Sequence, residues 1–172
     1  MKLNNNATII IGNTNSGKSY ILNDLRNYKL GNLISFENVK YPIVNYKVFP
    51  FLKCFGNKKI NEGNKLIDFY FPNIKRENIL EPYSKGVLKL FNLGDYIEMF
   101  LKHKNKITLI IDSIETDLDV NIQSTLIEKI NEYYGDELQL VCSTNSPSIF
   151  LEGWENNIIY AKDIMKTNRI IF

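Results

Sequence analysis

The sequence predicts an α/β fold with a mainly parallel central sheet flanked by helices. Three short apolar runs have the composition of buried strands, and between them apolar residues recur at helical spacing. Apolar strands that alternate with helices are typical of parallel sheets covered on both faces. The strand runs are Ala7–Ile11, Ile107–Ile111 and 139–143, and the helical segments are 19–28, 85–103 and Val120–Tyr134.

The first strand and the first helix are joined by a glycine-bearing turn. The β-branched run Ala7–Ile11 predicts a strand, and the turn begins at Gly12. The helix expected over 19–28 places three apolar side chains on one face, those of Ile21, Leu22 and Leu25.

The middle of the chain is harder to assign. Residues 33–80 mix aromatic residues with Asn, Gly and Pro, and they predict a subdomain that is either β-rich or helical. Within it, residues 65–71 have the composition of a short strand. Its aromatic residues are interpreted as core or interface residues, although one of them could stack on a nucleotide base, and the sequence does not identify which.

The second half of the chain continues the alternation. The helix expected over 85–103 has Gly94 as its weakest position, and Gly135 ends the helix Val120–Tyr134. After the strand at 139–143, residues 157–161 and 169–172 predict a closing pair of strands.

The composition excludes several classes of protein. The chain has 172 residues, enough for one domain, and 21 basic against 19 acidic residues give a net charge of +2. This charge does not indicate nucleic-acid binding, which stays open. The apolar runs are too short to span a membrane and no apolar signal core is visible, so we expect a cytoplasmic protein without a membrane anchor. Cys54 and Cys142 lack CxxC spacing, and the single His103 cannot form a histidine-rich metal centre.

A complete phosphate-binding motif follows the first strand. It has the pattern GxxxxGK[ST] and reads Gly12-Asn13-Thr14-Asn15-Ser16-Gly17-Lys18-Ser19. Its glycines let the backbone wrap around phosphate, and the positive end of the next helix faces the anion. Lys18 is expected to reach the β- and γ-phosphates, and the Ser19 hydroxyl to bind Mg²⁺. The sequence therefore predicts a P-loop nucleoside triphosphatase with ATP and Mg²⁺ as cofactors.

A second nucleotide-binding motif ends the strand Ile107–Ile111. Asp112 stands at its C-terminal end, where a carboxylate beside the P-loop can hold Mg²⁺ through water. We therefore expect Ser19 and Asp112 to form the metal site. This pattern matches a Walker B strand.

The residues after Asp112 resemble the heads of ABC-type ATPases. The segment Asp112-Ser113-Ile114-Glu115-Thr116-Asp117-Leu118-Asp119 is similar to the Walker B and D-loop stretch of that family. The segment Ser143-Thr144-Asn145-Ser146-Pro147 resembles its switch loop, and Tyr83-Ser84-Lys85-Gly86 resembles its Leu-Ser-x-Gly signature. The resemblance points to the SMC, RecF-like and OLD-like branch of AAA family ATPases. It implies one ABC-like nucleotide-binding domain over 1–172.

Two departures from this family bear on catalysis. Ser113 stands where the family has its catalytic Glu, and a serine does not act as a general base near neutral pH. Asn145 stands at the switch-loop His position, where it can donate a hydrogen bond to the γ-phosphate but cannot take up a proton. Glu115 matches a second acid of the branch and could polarise water, although it could also be a solvated loop carboxylate. We therefore expect Mg·ATP binding with slow hydrolysis, in a catalytic group of Asp112, Ser113, Glu115 and Asn145.

The resemblance also implies a dimer. In this family the signature of one subunit contacts the γ-phosphate held by the P-loop of the other, which would place Ser84 and Gly86 across an interface from Lys18, with Asp119 nearby. The chain lacks the long arms of SMC proteins and an added nuclease domain, so we expect an effector partner. Phage defence, DNA repair and mobile-element maintenance all remain open as pathways.

Other functions share the same motifs. A nucleoside or nucleotide kinase has a similar length and P-loop, but its lid usually needs several arginines, and only Arg26, Arg76 and Arg169 are present. A GTPase is less favoured because Asn105-Lys106-Ile107-Thr108 has Thr where the guanine-reading acid belongs. A further alternative is an ATP-binding assembly module that does not hydrolyse ATP.

Overall fold

The computed structural model describes residues 7–26, 42–46, 64–73, 84–149 and 157–167. The predicted strand 169–172 and most of the segment 33–80 lie outside these ranges, as do Cys54 and Tyr83. No helix in the described ranges is long and apolar enough to cross a membrane.

The described strands form one parallel sheet. In chain order they are β1 (Ala7–Ile11), β2 (Ile43–Asn45), β3 (Ile107–Ile111), β4 (Leu138–Thr144) and β5 (Ile158–Tyr160). Their order across the sheet is β2-β3-β4-β1-β5, and every pair is parallel. The first strand, β1, is therefore an inner strand of the sheet. Its neighbours, β4 and β5, come from the last third of the described chain.

Helices cover both faces of this sheet. They are α1 (Lys18–Arg26), α2 (Lys65–Tyr70), α3 (Lys85–Lys104), α4 (Val120–Tyr134) and α5 (Ala161–Thr167), with a short 3₁₀ turn at Pro147–Ile149. Ile10 of β1 packs with the apolar face of α1 and with Ala161 of α5. Ile9 and Ile11 point to the opposite face, where α2, α3 and α4 supply the core. This alternation along β1 explains why the whole strand is buried and reads as a continuous apolar run.

The predicted α/β fold class is confirmed, and several elements match the expectation. The strands Ala7–Ile11 and Ile107–Ile111 and the helix Val120–Tyr134 have the predicted bounds. The helix predicted over 85–103 extends one residue further, and Ser84 caps it by accepting a hydrogen bond from the Val87 amide.

One secondary-structure prediction is wrong. Residues Lys65–Tyr70 form a helix, α2, and not a strand, and the Asn64 side chain caps it by accepting a hydrogen bond from the Ile67 amide. The strand predicted over 157–161 is present but shorter, at Ile158–Tyr160, since α5 begins at Ala161.

Gly94 has a packing role inside α3. The buried Asn64 side chain lies against it, and a Cβ at position 94 would collide with that amide. From there Asn64 donates to the Phe91 carbonyl at 3.1 Å and to Asp95 Oδ1 at 2.7 Å. The glycine therefore allows α2 and α3 to approach closely, at the cost of some helix propensity.

Candidate functional site

The phosphate-binding loop joins β1 to α1 at the carboxyl edge of the sheet. Asn15 and Gly17 have positive φ angles of 64° and 92°. The Ser16 amide donates to the Asn13 carbonyl at 3.1 Å, which closes the turn. A Cβ at position 17 would lie 3.1 Å from the Met165 side chain of α5, so strain and crowding both favour glycine there. The loop conformation is therefore stabilised by its own hydrogen bond and by packing against Met165 of α5.

Lys18 is the central cation of the site. It is only 7% exposed, and its ammonium donates three hydrogen bonds. Two go to loop carbonyls, those of Gly12 at 2.7 Å and Asn13 at 2.9 Å. The third goes to Asn145 Oδ1 at 2.7 Å, across the gap between β1 and β4. These three bonds therefore hold the ammonium against the P-loop, where a bound phosphate would lie.

Asp112 follows β3 and is held by a neighbouring strand. The hydroxyl of Ser143, which is fully buried near the end of β4, donates to Asp112 Oδ1 at 2.5 Å. The same hydroxyl accepts the Ser113 amide at 2.9 Å. Ser113 has a φ of 52°, so the backbone turns sharply just after the carboxylate. Ser143 therefore orients the candidate Mg²⁺ ligand and fixes the turn that follows it.

Glu115 and Asn145 form the other half of the site. The Asn145 amide donates to Glu115 Oε1 at 3.0 Å. Glu115 Oε2 is buried and has no hydrogen-bond partner among the described residues. A buried carboxylate oxygen without a partner is costly in a folded protein, so it is a good acceptor for water or a ligand group. Asn145 therefore bonds to Lys18 through its side-chain oxygen and to Glu115 through its backbone amide.

Gln123 of α4 connects this group to the switch loop. It donates to the Leu118 carbonyl at 2.7 Å, and its Oε1 accepts the Ser146 hydroxyl at 2.6 Å. A glutamine in the first turn of a helix gives no distinctive sequence signal, and the sequence analysis missed it. It ties the segment after Asp112 to the segment after β4.

Lys89 of α3 is a second buried cation that the sequence analysis missed. It is 9% exposed, and its ammonium donates to the carbonyls of Ser113, Ile114 and Thr116 at 3.3, 2.9 and 2.7 Å. Burial lowers its pKa to about 8, against the opposing effects of Glu115 and Asp117. The only sign of this role in the sequence is the position of Lys89, about one turn after Ser84. Lys89 fastens the loop that carries Glu115 to α3.

One signature-like residue, Gly86, contacts this same loop. It lies so close to the loop that a Cβ there would be 2.7 Å from the Asp117 carbonyl oxygen. Ser84 is exposed at the start of α3, where it caps the helix. Asp119, also predicted at an interface, caps α4 through the Asn121 amide at 2.9 Å. Gly86 is therefore held against the loop after Asp112, whereas the Lys18 ammonium bonds to the P-loop and to Asn145.

A cleft of about 350 Å³ opens at the carboxyl edge of β1, β4 and β5. The P-loop and the residues after β4 form much of its wall, and Tyr160 and Lys162 complete it. The lining residues are Ile11, Gly12, Asn13, Ser16, Thr144, Asn145, Ser146, Pro147, Tyr160 and Lys162. The sheet therefore brings together predicted site residues with two residues that the sequence analysis missed.

Several predicted site residues do not line this cleft, namely Thr14, Asn15, Gly17, Lys18, Ser19, Ser84, Gly86, Asp112, Ser113 and Glu115. Thr14, Asn15 and Ser19 are exposed, and Ser19 lies in the first turn of α1. Ser16 lines the cleft, and its hydroxyl is buried and unpaired among the described residues. Two unpaired buried oxygens, on Ser16 and Glu115, thus belong to the predicted site.

The fold has a counterpart among solved structures. A nucleotide-free ATP-binding cassette from an ABC transporter is 18% identical, with a TM-score of 0.53 over 96% of this chain and 85% of that one. Cdc6p from Pyrobaculum aerophilum is 17% identical over 90% of this chain and 38% of that one, but its TM-score of 0.40 is too low to support a common fold. No protein-family model and no curated protein matches the sequence.

These observations define the fold. The GxxxxGK[ST] loop lies between β1 of the parallel sheet and α1. The structural similarity to an ATP-binding cassette extends over nearly the whole chain. The chain has the fold of a P-loop ATPase.

Proposed function

We propose that the protein binds Mg·ATP in the cleft and hydrolyses it slowly. The observation that carries the proposal is the position of the Lys18 ammonium, which is held by the P-loop and by Asn145. A buried cation at the start of a helix, beside a glycine-bearing loop, is suited to a polyphosphate. The unpaired oxygens of Ser16 and Glu115 offer further partners for a ligand and for water.

The residues present fit a magnesium ion. Mg²⁺ prefers oxygen ligands and keeps several waters when it binds a nucleotide. Asp112 offers a carboxylate oriented by Ser143, and Ser19 offers an exposed hydroxyl directly after Lys18. These two residues would hold the ion, which when bound neutralises charge on the β- and γ-phosphates.

Glu115 is the best candidate to orient the attacking water. Its Oε1 is fixed by the Asn145 amide, whereas its Oε2 stays free to accept a proton or a hydrogen bond. Ser113 contributes its amide to Ser143, which is a positioning role, and its hydroxyl is not a base near neutral pH. Slow hydrolysis is expected because Ser113 replaces the family's catalytic Glu, and Glu115 stands two residues beyond that position.

A nucleotide-dependent dimer forms part of the proposal. Ser84 is exposed at the start of a 20-residue helix, and Gly86 packs against the loop that leads to Asp119. A second copy, or a larger effector protein, could therefore place a phosphate contact at Ser84. Sedimentation with and without Mg·ATP, comparing wild type with Ser84→Arg, tests this step. A sedimentation coefficient that stays monomeric in both conditions, with and without the effector candidate, overturns it.

The binding step is tested by titration calorimetry with Mg·ATP. We expect binding by wild type and a loss of at least 100-fold in affinity for Lys18→Ala, because the substitution removes the central cation. Lys102→Ala is the matched control, since Lys102 is an exposed lysine in the last turn of α3. Equal affinities for wild type and Lys18→Ala contradict the proposal.

The hydrolysis step is tested by single-turnover assays with radiolabelled ATP. Glu115→Gln should keep ATP affinity within a few-fold and lower the hydrolysis rate by about 10²–10⁴-fold. Binding without any hydrolysis by wild type would favour the assembly module over an ATPase. Transfer of label to a nucleoside acceptor would instead show a kinase.

A further inference from the structure

Tyr160 occupies an unusual place at the edge of the cleft. It is the last residue of β5 and pairs in register with Ile11, the residue before Gly12. Another wall of the cleft lies on the opposite side of β1, where β4 leads into Asn145 and Ser146. Adjacent strands are about 4.8 Å apart, so Tyr160 flanks the P-loop from the side away from Lys18's partner Asn145.

The Tyr160 side chain is exposed beside the cleft. It is 48% exposed, at the last position of β5, which is an edge strand of the described sheet. The Lys162 ammonium lies 5.5 Å from the ring centroid, so a cation–π contact restrains the ring beside the cleft. Tyr160 is the aromatic residue among those that line the cleft in the described ranges.

Several other described aromatic side chains have packing partners elsewhere. Tyr46 and Tyr96 pack edge to face with ring centroids 5.4 Å apart, in the core on the α3 face of the sheet. Phe69 is 43% exposed, but it lies on α2 with Lys129 of α4 above its ring. The sequence analysis left open a base-stacking residue in the segment 33–80. Tyr160 is a candidate outside that segment.

We propose that Tyr160 is the stacking platform for the nucleobase of the bound nucleotide, with Lys162 holding its ring. The inference rests on the proposed function, because it assigns the base to a site whose phosphates are bound by the P-loop. A nucleobase is flat and weakly polar on its faces, and an exposed tyrosine ring offers it a surface of the same kind. Ile11 and Pro147 add apolar wall to the same cleft.

The test compares two ligands that share phosphates and differ in the base. Affinities for Mg·ATP and Mg·tripolyphosphate are measured by calorimetry with the full chain. Loss of a stacked base costs about 1–3 kcal/mol, so Tyr160→Ala should weaken ATP binding about 5- to 150-fold. Its affinity for tripolyphosphate should change less than twofold. Tyr160→Phe keeps the ring and should restore ATP affinity to within about threefold.

Matched variants separate stacking from damage to the fold. Phe69→Ala removes another exposed aromatic with a cation–π partner, and both affinities should stay within twofold of wild type. Tyr160→Thr places a β-branched residue with high strand propensity at this position and serves if Tyr160→Ala does not fold. Circular dichroism establishes folding for each variant.

Several outcomes overturn the inference. Equal ATP affinity in wild type and Tyr160→Ala overturns it. An equal loss of affinity for ATP and for tripolyphosphate in Tyr160→Ala also overturns it. In wild type alone, equal affinity for ATP and tripolyphosphate overturns it while leaving the proposed P-loop function intact. If wild type binds neither ligand, the proposed function itself fails and the inference fails with it.

Discussion

Lys18 and Asn145 are 127 positions apart in the sequence, and the ammonium of one donates to the side-chain carbonyl of the other at 2.7 Å. The backbone amide of Asn145 in turn donates to Glu115 at 3.0 Å. One residue after β4 therefore contacts both the phosphate-binding loop and the candidate base. The parallel register explains this, because Ile11 is paired with Thr144, directly before Asn145.

This contact should be measurable as a coupling energy in stability. We expect Lys18→Met and Asn145→Ala to be non-additive by about 1 kcal/mol in urea unfolding, since a hydrogen bond to a charged group links them. Asn145→Ala keeps the backbone amide, so the contact to Glu115 is preserved in every variant. Additivity within about 0.3 kcal/mol would show that the pair does not interact in solution.

Ser143→Ala should destabilise the protein by about 1–3 kcal/mol. The buried hydroxyl serves both Asp112 and the Ser113 amide, and its removal leaves two polar groups without their partner. Urea unfolding measures the change. Ser124→Ala is the matched control, because the Ser124 hydroxyl bonds to a carbonyl of its own helix in an exposed position. Similar losses for the two variants would contradict the bridging role of Ser143.

Lys89 should make the stability of the protein depend on alkaline pH. Its pKa is about 8 in the folded chain and has an ordinary value of 10.5. Between these values the unfolded chain binds more protons, so the contribution of Lys89 to stability is lowest below pH 8 and rises through the window. The unfolding free energy of wild type minus that of Lys89→Met should therefore increase from pH 8 to 10. Lys102→Met, which removes an exposed lysine of the same helix, should show no such trend.

Gly94→Ala should destabilise the protein although alanine is the better helix former. Helix propensity alone favours alanine by about 1 kcal/mol, but the new Cβ collides with the buried Asn64 side chain. We expect a net loss of about 1–3 kcal/mol in thermal or urea unfolding. In an Asn64→Ala background the same change should be neutral or stabilising. A loss of equal size in both backgrounds would exclude the collision as the cause.

The predictable part of the fold is the part with strong local patterns. The buried isoleucine-rich run Ala7–Ile11 and the amphipathic segment Val120–Tyr134 were predicted with the observed bounds, because burial on one or both faces determines their spacing. The helix Lys65–Tyr70 was missed because its β-branched and aromatic residues resemble a strand. Its conformation depends on the cap at Asn64, whose side chain is fixed by contacts with α3.

The site was predictable only where a motif is contiguous. The loop from Gly12 to Ser19 and the acid Asp112 follow from local sequence. The roles of Ser143, Lys89 and Tyr160 depend on which strands and helices are neighbours, and that order is not encoded by any short pattern. Tyr160 enters the cleft only because β5 joins the sheet beside β1.

The position of β1 between β4 and β5 has a consequence for the order in which the chain assembles. Both strands that pair with β1 are synthesised more than 120 residues after it, at Leu138–Thr144 and Ile158–Tyr160. Contacts of such long sequence separation form slowly, and the loop-closure entropy must be overcome before they stabilise the chain. A nascent chain on the ribosome would thus carry its GxxxxGK[ST] motif long before the neighbouring strands are available, and the cleft beside that motif would form as one of the last events of folding.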